Sequence, residues 1–205
     1  MRPILFSTEM VSALLDGRKS MTRRVCKHQH WSHSELVAVN HNGITQKVDR
    51  NVSCPYGSVG DVLWVRETWA PALGDYAYKA DYSEYTLNLQ KNKGLWKPSI
   101  HMPKKAARIF LRVMGVRVER LWDITNSNAI TEGVECIEPD ESYKDYESNF
   151  GQYATARGSF SSLWVKINGQ KSWDANPWVW VISFERCEKP DNFTTYVHRD
   201  IVCNI

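Results

Sequence analysis

The sequence predicts an α+β fold, a small mixed or antiparallel β-barrel with flanking helices, on three observations. Its elements run helix, strand, strand, long strand, helix, helix, strand. They lack the regular βαβ alternation of a parallel doubly wound sheet. The chain has 205 residues, 42% hydrophobic and 24% charged, enough for one domain with a buried core.

Each element has a local reason. Ser7 or Thr8 caps a helix whose apolar positions Met10, Val11, Leu14 and Leu15 recur at helical spacing, and Gly17 stops it. Residues 26–58 show little periodicity and many polar side chains, which predicts a long insertion ending in the turn Cys54-Pro55-Tyr56-Gly57. Gly60-Asp61 opens a strand over 62–69, where an apolar run gives way to alternation as at the rim of a sheet. A second insertion covers 76–102: Tyr76–Tyr82 reads as a short strand, and Trp96–Met102 fits no single element. Ile109–Leu121 alternates in a register that shifts after Gly115, predicting a long strand with a bulge or bend. Asp123 or Thr125 caps a short helix that Gly133 stops, and the acidic stretch 138–147 reads as a loop. Phe160, Leu163, Trp164 and Ile167 have helical spacing up to Asn168-Gly169, and Val179–Phe184 is the last strand. The domain therefore spans 1–187, with 188–205 as a polar tail.

Charge is unevenly placed. The net charge is only +3, yet Arg18, Lys19, Arg23, Arg24 and Lys27 follow one another without an acid. A second basic stretch runs from Lys97 to Arg120 against Glu119 alone, and Glu132–Glu147 is strongly acidic. This polarity suits a nucleic-acid partner and also an ordinary solvated surface. Five cysteines without close pairing argue for a reducing, cytoplasmic setting. No apolar run approaches the roughly 20 residues of a membrane span. Cys26, His28, His30, His33 and Cys54 are close in sequence but lack the paired-cysteine spacing of structural zinc, so no metal is expected. Neither a P-loop nor a dinucleotide glycine motif is present, and no cofactor is expected.

Gly17-Arg18-Lys19-Ser20-Met21-Thr22-Arg23-Arg24 is the segment richest in chemistry, with four cations and two hydroxyls in eight residues. A lysine three residues before a threonine, among arginines, suits phosphate binding and activation of a nucleophile. It also suits a basic turn at the negative end of a helix. Glu132 stands just before Gly133, where the helix dipole disfavours an acid, and so calls for a cation such as Lys19 or Arg24. In a second cluster Trp64 and Trp69 can stack on a base, Arg66 meet a phosphate and Glu67 accept from an exocyclic amine. The alternative there is barrel core for Trp64 and a rim ion pair for the charges. Asn176, before Pro177, is expected to be extended, with its amide in a pocket or in a structural turn.

Taken in order, Ile4-Leu5-Phe6, the segment Gly17–Arg24, the strand Gly60–Trp69, Ala129–Gly133 and the strand Val179–Phe184 resemble an ASCH domain. The resemblance covers roughly residues 3–187 and is greatest to the larger forms encoded by bacteriophages and prophages, in which Trp173-Asp174-Ala175-Asn176-Pro177-Trp178 precedes the last strand. It implies a PUA-like fold and binding of RNA or a modified nucleoside, with Arg18, Arg23, Arg24 and the stretch 104–112 near phosphates. A small bacterial ASCH protein is an amidohydrolase that deacetylates N4-acetylcytidine, and its lysine, threonine and glutamate match Lys19, Thr22 and Glu132. In that reading Lys19, its pKa lowered by burial or by neighbouring arginines, takes the Thr22 proton, and Glu132 serves as general acid. Alternatively Lys19 or Glu132 activates water directly. Other ASCH proteins are metal-dependent ribonucleases, which would require clustered carboxylates such as Glu135, Glu138, Asp140 and Glu141.

Overall fold

The first strand begins at the second residue. A computed structural model describes residues 1–27, 37–39, 45–47, 53–82, 95–137, 142–148 and 151–193. Arg2–Leu5 forms β1 and Thr8–Leu15 forms α1, capped by Ser7, whose hydroxyl accepts from Met10 N at 3.4 Å. Met21–Val25 is β2, and Val37–Val39 and Thr45–Lys47 are β3 and β4, an antiparallel pair. Val62–Arg66 (β5) is followed by the hairpin Trp69–Ala72 (β6) and Asp75–Tyr78 (β7). Phe110–Arg120 is β8 and Asn126–Thr131 is α2, capped by Thr125. Cys136–Ile137 (β9), Ser142–Lys144 (β10) and Gln152–Tyr153 (β11) make a small antiparallel sheet whose middle strand, β10, lies in the stretch expected to be a loop. Ala156–Asn168 (α3), Gln170–Asp174 (α4) and Trp178–Cys187 (β12) complete the α+β fold.

The main sheet has the order β1-β5-β8-β12-β2, parallel between β1 and β5 and antiparallel elsewhere. The sequence reading saw neither β1 nor β2 as a strand. Both are too short for periodicity to reveal, and β2 is rich in charge. The irregularity expected near Gly115 lies between Ser183, paired with Gly115, and Phe184, paired with Val113, where Met114 is the extra residue. β12 is buried on both faces from Trp178 to Ile182, as suits a strand covered on either side. Ile4, Leu63, Leu111 and Ile182 form the core with Val11 and Leu14 of α1 and Phe160 and Trp164 of α3. Each such fully buried aliphatic side chain contributes about 1.5–3 kcal/mol relative to an exposed one.

The sheet ends at β1 and β2, and no ladder joins them among the described residues. A side chain reaches across the gap: Arg24 of β2 donates to the Leu5 carbonyl of β1 at 2.6 Å. Beyond Cys187, where a polar tail was expected, the chain is packed through Phe193, which lies 4.7 Å from Phe110 and 6.2 Å from Trp64 between ring centroids. Residues 194–205 lie outside the described ones. No helix among the described residues is long and apolar enough to cross a membrane.

Candidate functional site

The basic segment is held where two helices end. After α1 the chain turns at Gly17, Lys19 N donates to Ala13 O at 3.0 Å, and Ser20 N donates to Thr131 O at 2.9 Å. Gly133 makes this approach possible. Its φ is +90°, and a Cβ there would lie 2.9 Å from both the Ala13 and the Lys19 Cβ atoms. The helix-stop glycine of α2 thus sets the distance between Lys19 and Glu132.

Lys19 is almost completely enclosed. Its Nζ donates to Met21 O at 2.7 Å, Glu132 O at 2.7 Å and Glu132 Oε2 at 2.9 Å. Three acceptors match the three donors of an ammonium, which leaves no lone pair facing the cavity. Burial pulls the Lys19 pKa below its ordinary 10.5, opposed by the attraction of Glu132 and aided by the cations Arg24 and Arg23. Arg18 is not among those cations. It turns outward to the Gly133 carbonyl (2.9 Å) and the Asp16 carboxylate (2.8 Å).

Glu132 is not in an apolar setting either. Its second oxygen accepts from Arg23 at 3.0 Å, so Arg23, with Lys19, supplies the partner that its position at a helix end demands. Arg23 also pairs with Glu119, whose other oxygen accepts from Arg117 at 3.0 Å. Arg23, Val181 and Arg117 are cross-strand neighbours over β2, β12 and β8. The register therefore dictates this chain of alternating charges, and period-two alternation of Arg117 and Glu119 was its signal in the sequence.

Lys19, Arg23, Arg24 and Glu132 line one wall of a cavity of about 350 Å³. Thr22 shares that wall, buried, and its hydroxyl makes no hydrogen bond among the described residues. The Phe6 ring lies beneath two cations, Lys19 Nζ at 5.5 Å and the Arg24 guanidinium at 5.1 Å from its centroid. Phe160, Trp164 and Asn168 of α3 form a second wall, and Thr68 and Ser99 a third. Sequence reasoning missed these last five, since packing of distant segments brings them in and no local pattern marks them.

The second predicted cluster lies elsewhere. Trp64 is buried against Phe110 and Phe193, as core. Arg66 stacks on Trp64 at 5.5 Å and donates to the Ile100 carbonyl. Glu67, 1% exposed, accepts from Arg108 Nε at 2.8 Å and NH2 at 2.9 Å. Trp69 packs with Met102 and Ala106 beneath Lys97. None of the four lines the cavity of Lys19. Asn176 is not extended: its φ is +42°, a left-handed value that asparagine tolerates, and its Oδ1 accepts from Trp122 N at 2.8 Å. Its amide belongs to a structural turn.

Among the described residues no group of three or more His, Cys, Asp or Glu is placed to hold a metal. His28, His30 and His33 lie outside the described residues, as do Glu138, Asp140 and Glu141. Cys26 and Cys54 are buried, and burial pushes their thiols up to about 12 and about 11. Compared with models of known protein families, with curated proteins and with solved structures, the chain matches none.

Proposed function

We propose that this chain is an ASCH-like binding module with a PUA-like, incompletely closed barrel, and that its cavity receives RNA through one base or takes a modified nucleoside. The observation that carries this reading is the cavity itself. At about 350 Å³ it falls within the range of small-molecule sites, and it combines an aromatic ring, an unengaged hydroxyl and buried charges. The gap between β1 and β2 is where a sheet curling toward a barrel would admit a ligand. Calorimetric titration with N4-acetylcytidine tests it: wild type binds, and Thr22→Val with Asn168→Ala weakens binding at least tenfold. Absence of binding by folded wild type to N4-acetylcytidine, cytidine and a mixed-sequence RNA alike would discard the proposal.

The free Thr22 hydroxyl favours a second reading, amide hydrolysis of an N4-acylated cytidine. Thr22 Oγ attacks the acyl carbon, the acyl–N4 bond breaks, and the hydroxyl proton ends on the departing cytosine amine. Water then splits the Thr22 ester to carboxylate and free hydroxyl. Lys19 can carry that proton only after losing one of its own, so turnover rises with pH. Chromatographic release of cytidine, lost in Lys19→Ala and in Thr22→Val, is the expected result, and turnover retained by either variant removes that residue from the reaction.

A further inference from the structure

Arg24 is the cation of the cavity that the protein leaves unbalanced. Lys19 and Arg23 are both paired with Glu132, whereas Arg24 forms no ion pair among the described residues. Of its five donors one goes to the Leu5 carbonyl, and Nε is sealed from solvent without a partner. Burial lowers the Arg24 pKa, offset in part by Tyr56 and Glu132. Arg66 also has an unpartnered buried Nε, but it does not line the cavity of Lys19.

The charge of the site is positive as a whole. Among the residues that line the cavity, Lys19, Arg23 and Arg24 stand against Glu132 alone, an excess of two cations. Ser7, the N-cap of α1, lines the same cavity, so the positive end of that eight-residue helix adds to the field. Glu9 in its first turn is directed to Lys166 at 3.7 Å. A protein that keeps a guanidinium half-buried and unpaired beside a cavity leaves the counter-charge to the ligand.

We propose that the ligand carries an anionic group, a phosphate, seated on Arg24, so that the cavity takes a nucleotide in preference to the neutral nucleoside. This rests on the nucleoside-scale reading above for the base, but not for the anion. Two sources offer that phosphate, a free mononucleotide and the phosphodiester of an RNA strand.

Calorimetric titration of the full chain with cytidine and N4-acetylcytidine, each free and as its 5′- or 3′-phosphate, tests the proposal. A short oligocytidylate and inorganic phosphate complete the set. We expect one of the phosphates to bind at least tenfold tighter than its nucleoside, the gain to shrink as salt rises, and Arg24→Met to abolish it. A monoester binding as tightly as the oligomer identifies a free nucleotide, and a further gain with the oligomer identifies RNA. In the absence of ligand, Arg24→Met should lose no more than the hydrogen bond to the Leu5 carbonyl and still unfold in one cooperative transition, and this separates loss of the anion from loss of the fold. Equal affinity for nucleoside and nucleotide in wild type, or a preference that survives in Arg24→Met, overturns the proposal. If nucleosides fail to bind while inorganic phosphate still raises the melting temperature of wild type but not of Arg24→Met, the anion site stands and the nucleoside reading falls. No response to any ligand overturns both.

Discussion

Glu132 and Glu67 are both nearly sealed from water, 3% and 1% exposed, yet they are held in different ways. Glu67 meets one arginine in a two-pronged pair, and the same Arg108 is tied to Asp81 at 2.8 Å and stacked 3.9 Å from the Tyr78 ring centroid. The charged groups of that cluster, Glu67, Arg108 and Asp81, are all paired within the protein. Glu132 instead divides its oxygens between Lys19 and Arg23, beside a cavity in which Thr22 and Arg24 have polar atoms to spare. Burial of charge is thus not what marks a site. The better marker is incomplete satisfaction at the wall of a cavity, which Thr22 and Arg24 show, whereas the unpartnered Nε of Arg66 and Nε1 of Trp69 do not line that cavity.

The difference can be broken by substitution. Glu132→Gln leaves Lys19 without its carboxylate and Arg23 with Glu119 alone, and loss of one partner of a buried pair costs about 3–5 kcal/mol. Denaturant unfolding should show that loss together with loss of N4-acetylcytidine binding. Glu67→Gln deprives Arg108 of one carboxylate but leaves it partly exposed with Asp81, so its cost is that of charged hydrogen bonds, about 1.5–3 kcal/mol. Ligand affinity should not move, and a change would mean that the two regions are coupled. Gly133→Ala introduces a Cβ at positive φ, with a penalty of roughly 1–2 kcal/mol. Because that Cβ meets the Lys19 Cβ at 2.9 Å, ligand affinity should fall as well.

Titration provides the subtlest contrast, because the two regions bend stability in opposite senses. Lys19 has a lowered pKa when folded, so between that value and its ordinary 10.5 the unfolded chain binds more protons and stability rises with pH. Glu67 has a raised pKa, caused first by burial and only partly offset by Arg108. Just above its ordinary 4.5 the folded chain therefore binds more protons, and its contribution is lost as pH rises through the folded pKa. Unfolding free energies measured across pH should lose the alkaline rise in Lys19→Met and the acidic fall in Glu67→Gln. A Lys19→Met profile parallel to wild type above neutral pH would contradict the first assignment.

Much of the scaffold was legible because it rests on local rules. Ser7 and Thr125 announce helix starts, Gly17, Gly133 and Gly169 announce ends, and the alternation around Gly115 announces both the long strand and its irregularity. β1 and β2 escaped, being short and lacking a periodic apolar face. The cavity was half legible. Lys19, Thr22, Arg23, Arg24 and Glu132 share it, and all stand in motifs that declare themselves. Trp64, Arg66, Glu67 and Trp69 did not join them, since sequence proximity to a sheet rim says nothing about which rim. Arg108, the partner of Glu67, lies 41 residues away in the chain, and only the fold reveals it.

The position of β2 at the sheet edge also governs when the site can exist. β2 carries Thr22, Arg23 and Arg24, and these residues take their ladder partners Ile182, Val181 and Trp180 from β12. The groups made first are therefore ordered by a strand made last. At about 5–20 residues per second of synthesis, the basic segment waits roughly 8–30 s on the ribosome before its template arrives. Until then Thr22, Arg23 and Arg24 lack the ladder partners that hold them at the cavity wall, partners that β12 supplies from its place between β8 and β2.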